Sequence, residues 1–256
     1  MPEGAQAARI AGERMIALLL GLTAVLATYL GGYFALRHQD KLHLILGFSA
    51  GAVIGVAFFD LMPEALNLAG KPYGIGTVTS ITAVGFLVFM LLNRLVVIHY
   101  RDLEHPECLG HQGALEAGSL SIHSFLDGLA IGLSFHVSPA VGAIVAAAVI
   151  LHDFSDGINT VSVILKNGGS TPRAFRWLLT DAVAPFVGVL VARWLILPQD
   201  YLGLLLGLFC GFFLYIGASD LLPESQHGHP TFLTSLMTTL GALLLYLAVR
   251  LARILG

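Results

Sequence analysis

Residues 123–128 read His-Ser-Phe-Leu-Asp-Gly and residues 152–157 read His-Asp-Phe-Ser-Asp-Gly, so the pattern H-x-F-x-D-G occurs twice within long apolar stretches. An Asp at the centre of a membrane helix costs about 2.5–3.5 kcal/mol on insertion, so ionisable groups at such depth need a partner. A bound cation is the simplest partner. In each copy the His and the Asp are four residues apart, which places both on one helix face within reach of a single ion.

The composition shows that these motifs lie in a membrane protein. Of the 256 residues, 56% are hydrophobic and 11% are charged, and the mean hydropathy is +0.82. A soluble domain usually contains about a quarter charged residues. We therefore expect an all-α integral membrane protein. The net charge of −3 and the absence of a basic patch argue against nucleic-acid binding.

At about 20 residues per crossing, the chain divides into eight predicted spans separated by polar or Pro- and Gly-containing breaks. The predicted spans lie near residues 14–36, 42–64, 74–100, 113–136, 139–165, 171–197, 201–222 and 231–254. No break is long enough for a second domain, so we expect a single transmembrane domain over residues 1–256.

A second motif, Asp-Leu-x-Pro-Glu, occupies residues 60–64 and 220–224, at the predicted ends of spans 2 and 7. These two spans run in opposite directions, so the two copies open at opposite membrane faces. This predicts an inverted repeat of spans 1–3 and 6–8 around the central spans 4 and 5, a 3+2+3 arrangement typical of secondary transporters.

The acids of this second motif would concentrate cations at two mouths of a pathway. The predicted mouth residues are Asp60, Glu64, Asp220 and Glu224. The simpler alternative, a solvated helix end with Pro as terminator, applies to the two glutamates more than to the aspartates one turn deeper.

The distribution of Lys and Arg modestly favours external N- and C-termini. With that orientation, the cytoplasmic loops contain Arg37, Lys41, Arg94, Arg101, Lys166, Arg173 and Arg176, and the opposite loops contain Lys71 and Arg193. The tails carry Arg9, Arg14, Arg250 and Arg253, which argue the other way.

Together these residues resemble the ZIP (ZRT/IRT-like) family of divalent-metal transporters. In that family span 4 carries H-[NS]-x-x-[DE]-G, span 5 carries a His or Gln followed by an acid, and spans 2 and 7 end in a hydrophobic-L-x-P-E motif. Residues 123–132, residues 152–157 and both Asp-Leu-x-Pro-Glu segments match position by position. The resemblance implies a homodimeric transporter without enzymatic activity. The metal ligands that it implies are His123, Asp127, His152, Asp153 and Asp156, with Ser124 where many relatives have Asn.

One position departs from the family pattern. Many prokaryotic relatives have Glu immediately before the Pro of span 6, whereas Ala184 precedes Pro185 here. Asp181, three residues earlier, could replace that Glu as a ligand or act as a polar gate or support. Whether the centre holds one metal or two therefore stays open. Loop histidines are solvated by default, and candidates for metal capture among them are His105, His111, His227 and His229.

The donor types set the expected ion. Imidazole plus carboxylate suits Zn²⁺, and also Fe²⁺, Mn²⁺ or Cd²⁺, better than Mg²⁺ or Ca²⁺. We expect uptake of zinc as the transported ion into the cytoplasm across a plasma membrane, the inner membrane of a bacterium, with no catalytic cofactor. The alternative from a different class is an intramembrane hydrolase whose Zn²⁺ activates a water molecule. Two mouths at opposite faces favour transport over hydrolysis.

Overall fold

A computed structural model describes residues 3–35, 42–101, 109–226 and 232–255 of the chain. These residues form ten α-helices and two π-helical segments joined by short turns. The α-helices are α1 (Glu3–Ala35), α2 (Leu42–Val56), α3 (Met62–Tyr73), α4 (Ile75–Arg101), α5 (Leu109–Val137), α6 (Pro139–Lys166), α7 (Thr171–Ala192), α8 (Gln199–Tyr215), α9 (Leu222–Gln226) and α10 (Phe232–Leu255). The π-helical segments are Ala57–Leu61, between α2 and α3, and Ile216–Leu221, between α8 and α9.

Eight helical stretches among the described residues are long and apolar enough to cross a membrane, which confirms the predicted all-α fold with eight spans. Span 2 consists of α2, the first π segment and α3, and span 7 consists of α8, the second π segment and α9. Each of the other spans is a single helix. Spans 2 and 7 were predicted to end at residues 64 and 222, but their helices continue to Tyr73 and Gln226.

The two π segments explain why the helices continue through the prolines of Asp-Leu-x-Pro-Glu. Proline lacks a backbone N–H, and its ring clashes with the carbonyl four residues earlier in an α-helix. Immediately before Pro63, the N–H of Met62 donates to the carbonyl of Ala57, five residues back. The N–H of Leu222 donates to the carbonyl of Gly217 in the same way. The widened turn accommodates each proline, so the alternative in which Pro terminates these helices is wrong.

The helices form two groups. In the first group α1 packs along α6, α7 packs along α5, and α5 and α6 pack against each other. In the second group α10 packs along α2, and α4 packs along α8. The groups meet mainly where α2 lies against α6. Both H-x-F-x-D-G helices, α5 and α6, therefore belong to one group and face each other within it.

The glycine that closes each H-x-F-x-D-G motif lies at a close helix crossing. A Cβ at Gly128 would overlap the backbone carbonyl of Pro185 on α7, and one at Gly157 would overlap the carbonyl of Thr28 on α1. Only a glycine lets the backbones approach this closely. These crossings hold α5 against α7 and α6 against α1, and they help to fix the depth of the His and Asp residues that precede each glycine.

Candidate metal centre

Four side chains from the two motifs converge between α5 and α6. His123 and Asp127 come from α5, and His152 and Asp156 come from α6; each offers one ligand atom, and these four atoms all lie within 4.8 Å of one another. The four-residue spacing places each His and Asp on a common face, and the packing of α5 on α6 brings the two faces together.

The carboxylate of Asp127 lies at the middle of this cluster. Its Oδ2 is 3.1 Å from Nε2 of His123 and 3.3 Å from Nε2 of His152. Oδ2 of Asp156 lies 3.6 Å from the first imidazole nitrogen and 3.7 Å from the second. Two nitrogen and two oxygen donors thus point at one small volume.

A hydrogen bond on its far side orients the ring of His152. Its Nδ1 lies 3.0 Å from the carbonyl oxygen of Ala148, one turn earlier on α6. A carbonyl can only accept, so Nδ1 carries the hydrogen, and Nε2 of the neutral ring presents its lone pair to the Asp127 carboxylate. A metal ion held between this lone pair and the carboxylate would bind both groups. The ring is therefore set as a metal ligand through Nε2.

The centre is almost completely removed from solvent. Asp127 and His152 are fully buried, and Asp156 and His123 are 3% and 6% exposed. Nevertheless Nε2 of His123, Oδ1 of Asp127 and Oδ2 of Asp156 have no hydrogen-bond partner among the described residues. Buried polar atoms are rarely left without hydrogen bonds, so ligand atoms in this state are expected of a site that binds a cation.

Asp153 lies beside the four-residue cluster and is not part of it. It is fully buried, its Oδ1 is 3.9 Å from Nε2 of His152, and neither carboxylate oxygen has a hydrogen-bond partner among the described residues. Its carboxylate is therefore available to a second ion or to a shifted position of the first.

Asp181 and Ser124 contact each other. The hydroxyl of Ser124 donates to Oδ1 of Asp181, and the hydroxyl of Thr160 donates to Oδ2, both at 2.7 Å. This buried arrangement joins α5, α6 and α7 and engages both oxygens of the carboxylate. Thr160 is not among the residues predicted from the sequence, although it lies four residues after Asp156 and so on the same helix face.

The predicted mouth residues differ in exposure. Asp60 lies in the first π segment and is only 3% exposed, whereas Asp220 lies in the second π segment and is half-buried. Oδ1 of Asp220 accepts a hydrogen bond from Asn93 on α4. Glu64 is half-buried and Glu224 is exposed.

The predicted loop histidines fall largely outside the described residues. His105, His227 and His229 lie there, and His111 lies in the first turn of α5 with its side chain not described.

Fold and site together define the class of this protein: a helical integral membrane protein with a buried His and Asp cluster that could hold a metal ion. The profile of the family described as ZIP Zinc transporter matches residues 115–248, from α5 through most of α10. The chain therefore belongs to the ZIP family.

Individual relatives extend this likeness over most of the chain. The zinc transporter ZupT of Chlorobium luteolum is 28% identical over 256 residues, covering 90% of this chain and 96% of the relative. The zinc transporter ZupT of Corynebacterium aurimucosum is 26% identical over 231 residues, covering 82% and 87%. The zinc transporter ZIP13 of Pongo abelii is 26% identical over 246 residues, covering 85% and 73%.

Proposed function

We propose that this protein transports a divalent transition-metal ion, zinc in particular, across a membrane through the centre formed by His123, Asp127, His152 and Asp156. The observation that carries this proposal is the convergence of four buried donor atoms within 4.8 Å of one another inside an eight-span bundle. Membership of the ZIP family and the zinc transporters among its relatives support it.

The donor set supports zinc over the common hard cations. Two imidazole nitrogens and two carboxylate oxygens suit Zn²⁺, with Fe²⁺, Mn²⁺ and Cd²⁺ as further candidates, while Mg²⁺ and Ca²⁺ prefer shells of oxygen alone. The four-residue cluster contains no sulfur ligand, which disfavours Cu⁺.

Asp153 is proposed as a further ligand, because its buried carboxylate has no hydrogen-bond partner among the described residues. Asp181 is proposed to support the centre rather than to bind the ion, because the hydroxyls of Ser124 and Thr160 already engage both of its oxygens. With Ser124 turned towards Asp181, its predicted role as a ligand becomes a supporting one.

The ion is proposed to pass from a mouth at Asp60 and Glu64 to a mouth at Asp220 and Glu224. Both mouths are built alike, with a π segment immediately before the motif's proline. The helix pairs also correspond: α1 with α6 matches α7 with α5, and α2 with α10 matches α8 with α4. This correspondence supports the inverted repeat of spans 1–3 and 6–8.

The ligands of the centre all belong to the first helix group, which makes only limited contact with the second. A displacement of one group against the other would therefore change access to the ion without separating its ligands. Movement into the cytoplasm follows the electrical gradient, worth about 2.3 kcal/mol per charge per 100 mV.

We further propose a homodimer in the bacterial plasma membrane with both termini outside. With this orientation, the connections between α3 and α4, α5 and α6, and α7 and α8 would be external, and hydrogen bonds join residues at all three. The hydroxyl of Tyr73 donates to Asp200, which follows the connection between α7 and α8, and the Gln199 amide donates to the carbonyl of His136 near the end of α5.

The alternative of an intramembrane zinc hydrolase is not supported. The family and the matched relatives are transporters. The Ser124 hydroxyl, next to His123 in the sequence, donates its hydrogen to Asp181 and not to an imidazole base.

Uptake into proteoliposomes from a panel of divalent ions tests the proposal. We expect zinc uptake by the wild-type chain and none by His123→Ala, with circular dichroism showing a folded protein in both. Ser134→Ala is a matched control on α5, because Ser134 is buried and its hydroxyl has no hydrogen-bond partner among the described residues. Wild-type uptake by His123→Ala would overturn the assignment.

A further inference from the structure

A row of side chains on α4 and α8 leads from the metal centre to Asp220. It begins with the rings of Phe89 on α4 and Phe212 on α8, which lie 4.2 Å apart, centroid to centroid, and meet edge to face. Both rings also contact the imidazole of His123, at centroid distances of 5.7 Å and 5.3 Å. The phenyl pair therefore covers the metal centre on this side.

One turn farther along both helices, the row becomes polar. Asn93 follows Phe89 by four residues and Tyr215 follows Phe212 by three, so both lie nearer to Asp220. The Asn93 amide donates one hydrogen to the hydroxyl oxygen of Tyr215 at 3.0 Å and the other to Oδ1 of Asp220 at 3.2 Å. A single amide thus ties the carboxylate of the π segment to α4.

Of the four residues in the centre, the one that contacts the phenyl pair is the most exposed. Asp127 and His152 have no exposed side-chain surface, whereas His123, which contacts the phenyl pair, retains 7%. The proposed mouth on this side is also the more exposed one, because Asp220 is half-buried and Asp60 is almost completely buried.

We propose that Phe89 and Phe212 form the barrier between the metal centre and Asp220, and that Asn93 is a positioning residue for the Asp220 carboxylate. An ion that passes the rings exchanges imidazole and carboxylate ligands for a carboxylate held by an amide. Oxygen donors alone bind a transition metal more weakly than a set that includes imidazole, so this transfer favours release. The inference rests on the proposed function of the His and Asp centre.

Thiol accessibility tests the barrier. In the full chain with both cysteines replaced (C108S and C210S), Asp156→Cys places a thiol in the centre. A membrane-impermeant thiol reagent is then applied from the face on which Asp220 lies. Phe89→Ala should increase the labelling rate several-fold, because removing the ring opens a path for water.

Phe86→Ala is the matched control for this experiment. It removes the same side chain one turn earlier on α4, where the ring also contacts Tyr215, at a centroid distance of 5.5 Å. Labelling should stay at the rate of the parent. An equal rise in both variants, or no rise in Phe89→Ala, overturns the barrier.

Zinc uptake with zinc supplied on the Asp60 side tests the positioning role. Asn93→Leu should lower the maximum rate about tenfold, the equivalent of one hydrogen bond to a charged group, with little change in KM. Asn93→Gln, which keeps an amide, should recover most of the rate. A rise in KM without loss of rate, or no recovery by Gln, overturns the role.

A double-mutant cycle separates positioning from a general structural effect. In an Asp220→Ala background, Asn93→Leu should cause no further loss of rate, because the carboxylate that it positions is absent. If the rate of the double mutant fell by the product of the two single-mutant losses, the proposal would be overturned. If Asp127→Ala abolishes transport while none of these variants has an effect, this inference fails and the proposed function stands. Transport by Asp127→Ala would refute the function itself.

Discussion

Oδ2 of Asp127 on α5 lies 3.3 Å from Nε2 of His152 on α6, so the two H-x-F-x-D-G repeats meet atom to atom. This contact makes one centre from two motifs. It also places the Asp127 carboxylate between both histidines, since the same oxygen lies 3.1 Å from Nε2 of His123.

Asp127→Ala should lower zinc affinity more than any other single substitution in the centre. It removes the donor nearest to both imidazoles, and the loss should exceed the roughly 10–100-fold typical of changes in outer-shell partners. Zinc titration of the detergent-purified protein by calorimetry measures this. Asp200→Ala, an acid distant from the centre at the start of α8, serves as the control. Equal affinities in the two variants would exclude Asp127 as a ligand.

Zinc affinity should fall as the pH decreases through the range in which imidazole ordinarily titrates, about 6.5. Protonated imidazole has no lone pair for the metal, so protons compete with zinc for His123 and His152. Raising the zinc concentration should move the loss to lower pH. The measurement is KM for uptake between about pH 8 and pH 5, with His43→Gln as a control outside the centre. A KM independent of pH would contradict coordination by histidine.

The sequence indicated that His123 lies on one helix face with Asp127, and His152 with Asp156, because a four-residue spacing on a helix depends on local geometry alone. The meeting of Asp127 with His152 depends on the packing of α5 and α6, which the backbone approaches at Gly128 and Gly157 help to set. The sequence did not reveal Thr160, since an apolar helix gives no sign whether a hydroxyl bonds its own backbone or a distant carboxylate.

The π segments could not be predicted for a different reason. Proline in a helical pattern usually marks a helix end. At Pro63 and Pro223 the chain instead widens one turn, because hydrogen bonds spanning five residues provide an alternative to termination. The sequence also did not reveal that Asp60, at one of the proposed mouths, is almost completely buried.

Because Asp60 is buried, its effect on transport should depend little on ionic strength. Buried charges are screened far less than exposed ones, for which the Debye length is about 10 Å at 0.1 M salt. Asp60→Asn should lower uptake by the same factor at low and high salt. Glu224→Gln at the exposed position should act only at low salt. Initial rates in a salt series distinguish the two, and a loss at Asp60 that vanishes in high salt would place this carboxylate at the surface.

Cysteine labelling tests the proposed orientation. A cysteine at position 70, where Gly70 has open space around it, should react with an impermeant reagent only from outside. A cysteine at position 105, in the loop between spans 3 and 4, should react only from the cytoplasmic side. The variant without native cysteines is studied in right-side-out and in inverted vesicles, so that the reagent reaches either the external or the cytoplasmic face. The reverse pattern would place both termini in the cytoplasm.

The number of ions bound distinguishes the two roles open to Asp181. Both of its oxygens accept hydrogen bonds from hydroxyls, so we expect one ion in the wild-type centre and still one in Asp181→Ala. Ala184→Glu restores the acid that many prokaryotic relatives have before this proline, and it should raise the count towards two. Ala184→Gln is the control, because an amide adds no charge.

The count is obtained as a metal-to-protein ratio on protein with the loop histidines replaced, and anomalous scattering locates each ion. The replaced residues are His105, His111, His227 and His229. A wild-type count of two that falls to one in Asp181→Ala would make Asp181 a ligand. Absence of any ion between α5 and α6 at saturating zinc would refute the metal centre, because the buried ligand atoms without hydrogen bonds would then have no cation to stabilise them.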